Sequence, residues 1–490
     1  MNRPVNLPLG SKGCAFCSGN YLSQPDTRQE GDQTSSGHKQ KKKNFYLTPR
    51  KRSTTPFKMG SISQSPAFFN IINGERRSGT KFDHGIDPRT EKPLWDVPVA
   101  SAADLDDAVT AARNAFPGWA NKPLAERKKA LARMAEVLNE NTAELIEVIM
   151  RETGKSQLMA SIEIQNTAAQ CLFYSKTALE DELQYEDETV RIMATYPPLG
   201  VVGAICPWNF PLILSTIKVV AALVMGNCII IKASPFTPYS ALKFAEIVQG
   251  ARCVPTRSRR QRRRHRVPGR RRRAATAGQV AAGAYFNAGQ VCVATKRVYV
   301  HEDIYPAFVE AFVAETGRTY APVVAADAET ATPTVFGPVA NKMQFDKVKG
   351  LLQDVKKAGG EVLTGGAAHD GPGYWIQPTV VAQPPEDSRL VQEEQFGPVV
   401  PIMKWSSEDD VIKRANLTNS GLGATVYSKD LQRAESIARR LECGSVWINM
   451  PERPREAAWM GGWKDSGYGG EMGKLGLYAY CHVKSIHYAK

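Results

Sequence analysis

Two short stretches carry residue types that could do chemistry. In "NAGQVCVAT" (287–295), Cys292 follows Ala288, Gly289 and Gln290, and the first two are small enough to let backbone approach a thiol closely. At a helix N-terminus the oriented amides would lower the thiol pKa and make Cys292 a nucleophile. Residue type alone leaves a second reading open, because cysteine is among the residues most often buried as plain packing. In "CPWNFPL" (206–212), two prolines fix a loop directly after an apolar run. That puts Asn209 at the carboxyl end of a strand, where α/β proteins bind ligands and where its amide could donate to a developing oxyanion. The alternative is a rigid turn with Trp208 packed against it.

The elements that must position these residues are legible around them. "LGVVGAIC" (199–206), "LILSTIKVVAALVMG" (212–226) and "CIIIKAS" (228–234) read as buried strand, apolar helix and buried strand, the βαβ unit of a parallel sheet. "SALKFAEIVQ" (240–249) predicts the next helix. Upstream, 101–120 and 144–156 have helical spacing, with Ser101 and Asp104 at capping-box separation. Downstream, "RVYVH", "FGPVVPIMKW", "GATVYS" and "GSVWINM" are strand-like and alternate with helical runs at 342–359 and at "LQRAESIARRLE", which predicts a second α/β domain. "GGWKDSGYGG" (461–470) lacks the spacing of a dinucleotide loop and reads as a turn. Just before it, Trp459 and Met460 hint at a bulky, apolar mouth, with ordinary packing as the alternative.

Taken in order, "ETGKS", "PWNFPL", "GNCIIIKASPFTP", "GQVC", "EEQFGPV", "GSVWIN" and "GGWKDSGYGGEMG" resemble the aldehyde dehydrogenase superfamily from about residue 66 to the C-terminus. The resemblance implies an α/β fold with a Rossmann-like cofactor domain, an α/β catalytic domain and a small region of oligomerisation strands. It also implies a mechanism: Cys292 attacks an aldehyde, Asn209 and the Cys292 amide hold the oxyanion, and hydride passes to NAD, or to NADP. A thioester on Cys292 is then hydrolysed. By the same resemblance Lys232 contacts the adenosine ribose, Glu394 the nicotinamide ribose, with Phe396 beside it, and Trp208 borders the cofactor. Outside that context Lys232 is a solvated strand-end charge and Glu394 a helix-end carboxylate. Pro235 stands where many relatives have a ribose-binding glutamate, which leaves NAD against NADP open. Homo-oligomers, dimers or tetramers, are implied through 184–198 and a C-terminal strand.

Two family motifs are not found between Lys232 and Cys292: a Gly-Ser turn beneath the pyrophosphate, and a Glu-Leu-Gly-Gly segment whose glutamate activates the deacylating water. From Ile247 to His301 there is no Asp or Glu. The two residues are 60 positions apart, whereas one βαβ crossover takes about 30 or more residues, so central strands of the cofactor sheet are expected to be missing. The expected division is a disordered basic extension (1–58), a cofactor-binding domain (59–249), an anomalous Arg-rich segment (250–276), a catalytic domain (277–460) and a C-terminal loop and strand (461–490). The expected activity is aldehyde oxidation, impaired in this chain; the alternative is a non-catalytic subunit or scaffold of the same fold.

The net charge of +14 suggests a nucleic-acid partner until it is located. Residues 252–273 hold twelve arginines and no acid, and 1–58 hold eleven Lys/Arg against three acids, which leaves the remainder at −6. That acidic body, and an arginine run without aromatic residues, argue against nucleic-acid binding. An out-of-frame translation that displaced coding sequence is the most economical origin of the run, ahead of a splice form or a basic arm. No apolar run approaches the roughly 20 residues of a membrane span. Nine scattered cysteines, with Cys14 and Cys17 as a lone CxxC, indicate neither a disulfide framework nor a metal site. A reducing compartment, the cytoplasm, fits that usage; Asp26, Glu30 and Asp32 weaken a mitochondrial leader.

Overall fold

The computed structural model describes residues 19–23, 67–250, 274–320 and 336–490. The Cys14–Cys17 pair, the arginine run and all of 1–58 except 19–23 lie outside the described residues.

The first unit is mainly helical. α1 (Ala102–Ala120) opens on the capping box read from the sequence: the Asp104 amide donates to the Ser101 hydroxyl, and the Asp104 carboxylate accepts from the Ser101 amide. α2 (Leu124–Glu140), α3 (Thr142–Thr153) and α4 (Gln157–Tyr174) follow. Then come two antiparallel strands, β2 (Glu182–Glu186) and β3 (Val190–Thr195), numbered after the N-terminal β1 described below. The βαβ unit is β4 (Val201–Ile205), α5 (Pro211–Val224) and β5 (Cys228–Lys232), with the strands parallel as expected. α6 (Tyr239–Gly250) closes the unit. Leu131, Leu138, Leu145, Ile149, Leu212 and Val220 form its core between α2, α3, α4 and α5.

The strands β4 and β5 differ from the expectation of full burial. Their residues are mostly half-exposed, and Ile205 is 79% exposed. Among the described residues the sheet holds these two strands, and both α1 and α5 pack against them.

The second unit is a seven-stranded sheet with helices on both faces. α7 (Ala274–Tyr285) leads through a short 3-10 turn (Phe286–Gly289) to β6 (Thr295–His301) and α8 (Tyr305–Tyr320). After α9 (Lys342–Lys357) come β7 (Glu361–Thr364), β8 (Thr379–Ala382), β9 (Val399–Trp405), α10 (Glu408–Asn416), β10 (Gly423–Tyr427), α11 (Leu431–Arg440) and β11 (Ser445–Ile448). Val298, Val300 and Ile402 pack one face against α7 and α8, and Tyr299, Met403 and Val426 pack the other against α10 and α11. Such burial on both faces explains why these strands read as continuous apolar runs.

One strand of this sheet corrects the sequence reading. Gly19–Ser23, within the extension expected to be disordered, forms β1, parallel to both β6 and β10 and lying between them. The physical reason is the backbone: two strands one strand-width apart present rows of N–H and C=O groups that any extended segment can satisfy. The C-terminal strand β12 (Lys484–Ala489) pairs antiparallel with β3 of the same chain, giving a three-stranded sheet in the order β12-β3-β2.

Candidate active site

Cys292 lies in the turn between the 3-10 segment and β6, not at the N-terminus of a helix as the sequence suggested. The loop before it is held in an unusual conformation. Asn287, Ala288 and Gly289 have φ of 51°, 55° and 73°, all left-handed. A Cβ at Gly289 would stand 2.3 Å from the Gly397 carbonyl oxygen, so only glycine fits that close approach. Gln290 locks the turn: its Nε2 donates to the Asn287 carbonyl (3.0 Å) and its Oε1 accepts from the Ala340 amide (2.8 Å).

The displaced position changes the electrostatics. Cys292 packs against the Val293–Leu422 cluster, as do Val291, Trp447 and Met460, and burial pushes its thiol up to about 11. The Lys296 ammonium pulls it down and the Glu394 carboxylate pushes it further up. The expected lowering by helix amides is therefore corrected; Lys296 is the cation at hand. Met460 packs against the same Val293–Leu422 cluster as Cys292.

Asn209 does meet the nucleophile loop. It is buried, and its Nδ2 donates to the Gln290 carbonyl at 3.0 Å, two residues before Cys292. Asn287 Nδ2 donates in turn to the Asn209 carbonyl at 3.2 Å. An amide nitrogen carries two N–H groups, so this hydrogen bond leaves the second for a substrate oxygen.

The residues assigned to the cofactor fall into two groups. Trp208 meets Phe396 edge to face, with ring centroids 5.4 Å apart at 84°. Lys296 Nζ lies 4.7 Å above the Phe396 ring and 3.9 Å from Glu394, and donates to the Gly289 carbonyl at 2.8 Å. This cluster adjoins Cys292 and fits the nicotinamide end of a dinucleotide. Lys232 is exposed at the end of β5, in register with exposed Ile205 at the end of β4. A cation beside bare apolar surface at the carboxyl ends of parallel strands fits an adenosine. Among the described residues, no group of His, Cys, Asp and Glu could hold a metal ion.

Sequence reasoning missed three residues that hold this arrangement. Lys296 sits four positions after Cys292, a spacing that carries no motif. Lys155 was inside the quoted "ETGKS" but had no role. Glu163 stood in a stretch given no role; only the fold brings it to the first turn of α5, where its Oε1 accepts from the Leu212 and Ile213 amides.

Comparison with known proteins gives a consistent result. The model of the "Aldehyde dehydrogenase family" matches residues 76–256 and 272–486. Aldehyde dehydrogenase LUC3 of Fusarium sp. is 35% identical, with 86% of this chain and 99% of the relative covered. Succinate-semialdehyde dehydrogenase from Burkholderia pseudomallei superposes with a TM-score of 0.80 at 27% identity, covering 88% of this chain and all of that one. The NAD+ complex of aldehyde dehydrogenase from Bacillus cereus does so with a TM-score of 0.77 at 28% identity, covering 86% and 97%.

Proposed function

The chain belongs to the aldehyde dehydrogenase family, whose members oxidise aldehydes with NAD(P), and from that premise we propose that Cys292 is its nucleophile and that turnover stalls after the first half-reaction. The observation that carries the reading is the tether between the two halves of the site, Asn209 Nδ2 on the Gln290 carbonyl beside Cys292.

In this mechanism the Cys292 thiol loses its proton to solvent, favoured by Lys296 and opposed by Glu394 and by burial. The sulfur attacks the aldehyde carbonyl and forms a C–S bond. The oxygen, now anionic, accepts from the free N–H of Asn209 and from the Cys292 amide. Bound NAD(P) supplies the hydride acceptor. Trp208 and Phe396 would border its ring and Glu394 and Lys232 would take its two riboses; loss of hydride from the adduct carbon leaves a thioester on Cys292. Hydrolysis then needs a base to deprotonate water. The sequence has no Glu-Leu-Gly-Gly segment to supply one, and the alignment with the Fusarium relative spans 472 positions while taking in 86% of this 490-residue chain, so part of that relative has no counterpart here.

The substrate is an apolar aldehyde, in keeping with the cluster of Val293, Leu422, Trp447 and Met460 that Cys292 joins. The chain works as a homo-oligomer; Leu183, Tyr185 and Tyr488 on the three-stranded sheet are about half exposed and would be covered by a second copy. The six cysteines among the described residues are free, as a cytoplasmic protein would keep them.

The test is to mix the purified chain with NAD and a small aliphatic aldehyde and follow reduced cofactor. A burst of at most one equivalent per chain, absent in Cys292→Ala, is the expected result. Sustained turnover would remove the claim of a stalled thioester, and equal signal from Cys292→Ala would remove the nucleophile assignment. No signal from either chain would point to the non-catalytic alternative.

A further inference from the structure

The most deeply buried ion pair of the first unit, among the described residues, lies beneath the candidate site. Lys155, between α3 and α4, and Glu163, on α4, have side chains 1% and 0% exposed, with Nζ and Oε2 2.5 Å apart. A buried ion pair is weak as a source of stability, because desolvation of two charges offsets their attraction. What this pair touches gives it another use.

Lys155 Nζ also donates to the Asn209 carbonyl at 2.7 Å and lies 3.9 Å above the Phe210 ring. Glu163 Oε1 accepts from the Leu212 and Ile213 amides, at 3.0 and 3.3 Å. Those amides belong to the first turn of α5, whose N-cap residue, Phe210, makes no side-chain cap. So Glu163 caps α5 from a neighbouring helix, and Lys155 grips the residue that precedes the N-cap of that helix. With Asn287 on the same carbonyl, the Asn209 backbone is held from two sides.

We infer that Lys155 and Glu163 are positioning residues for the oxyanion donor: they fix the Asn209 backbone so that its amide points at the carbonyl under attack. The inference rests on the reading of Asn209 given above. It requires that the pair act through Asn209 alone and touch neither substrate nor cofactor.

The single change Lys155→Met would leave Glu163 buried without its cation and could prevent folding. The double variant Lys155→Met/Glu163→Gln removes both charges and keeps an amide oxygen able to cap α5. In the full chain, with NAD and a small aliphatic aldehyde, the expected result is a burst rate lowered about tenfold or more. The half-saturating concentrations of aldehyde and NAD should stay unchanged, and so should alkylation of Cys292 by iodoacetamide, which forms no oxyanion. In an Asn209→Ala background the same two changes should cost nothing further, since their effect runs through that side chain.

A folded double variant with an unaltered burst rate would overturn the inference. So would an equal loss in the Asn209→Ala background, or an alkylation rate that falls in step with the burst. An Asn209→Ala chain that keeps the full burst rate while Cys292→Ala abolishes it would overturn both this inference and the oxyanion reading beneath it. A protein with no burst in any form but with unchanged alkylation in the double variant would overturn the inference through the failure of the mechanism itself.

Discussion

At Cys292 two opposite charges compete over one sulfur. Burial and Glu394 hold the thiol protonated, Lys296 favours the thiolate, and the balance lies near pH 11. Alkylation by iodoacetamide is therefore expected to rise by about tenfold per pH unit from neutrality toward that value. Glu394→Gln should shift the curve to lower pH, because it removes a negative charge that disfavours the thiolate; a curve that stays in place would show that Glu394 does not act on the sulfur. Asn209→Ala should slow the burst by roughly 10²- to 10³-fold, the usual cost of one oxyanion donor, measured in a single turnover. The short motifs that hold Cys292, Asn209, Trp208, Glu394 and Phe396 were legible in the sequence, and the fold ties them together through Gln290 and Lys296. Lys296, Lys155 and Glu163 were not: the hydrogen-bond partners of the last two lie as far as 54 residues away, and periodicity marks a helix face without saying what it meets.

The elements were read well where one local signal decides them. The capping box placed α1, and the apolar runs placed β6, β9, β10 and β11. The setting of Cys292 was misread because the turn depends on three consecutive left-handed residues braced by Gln290 and Gly397, and such bracing is tertiary. Gly289→Ala should destabilise this turn by about 1–3 kcal/mol and slow the burst, as thermal melts and single-turnover rates would show. A second element carries a pH signature. Glu152, at the end of α3, accepts from the Tyr239 and Ser240 amides at the start of α6, and burial pushes its carboxyl up to about 8. A carboxyl raised in the folded state contributes stability that is full below the unfolded value and is lost as pH rises through the folded one. The melting temperature should thus fall between about pH 5 and 8, and Glu152→Gln should flatten that slope. Equal slopes in the two proteins would contradict the assignment.

At the scale of the whole molecule the α/β fold was foreseen, and the Arg-rich segment was where reasoning stopped. An arginine run has no apolar payload and no period, so no strand or helix could be assigned to it. The insertion of β1 could not be foreseen either, because "GNYLS" has little strand propensity and is paired through backbone with strands hundreds of residues away. The three-stranded sheet carries the expectation for assembly: the 53.8 kDa chain should elute as a dimer or tetramer, and lysine at both Leu183 and Tyr185 should shift it toward one chain. The central claim is that the chain forms an acyl-enzyme and cannot release it. It is tested most directly by intact-mass analysis of the protein after mixing with NAD and an aldehyde, followed by peptide mapping. The account predicts a persistent acyl adduct on the peptide that contains Cys292. An unmodified Cys292 in a protein that keeps reducing cofactor would contradict it.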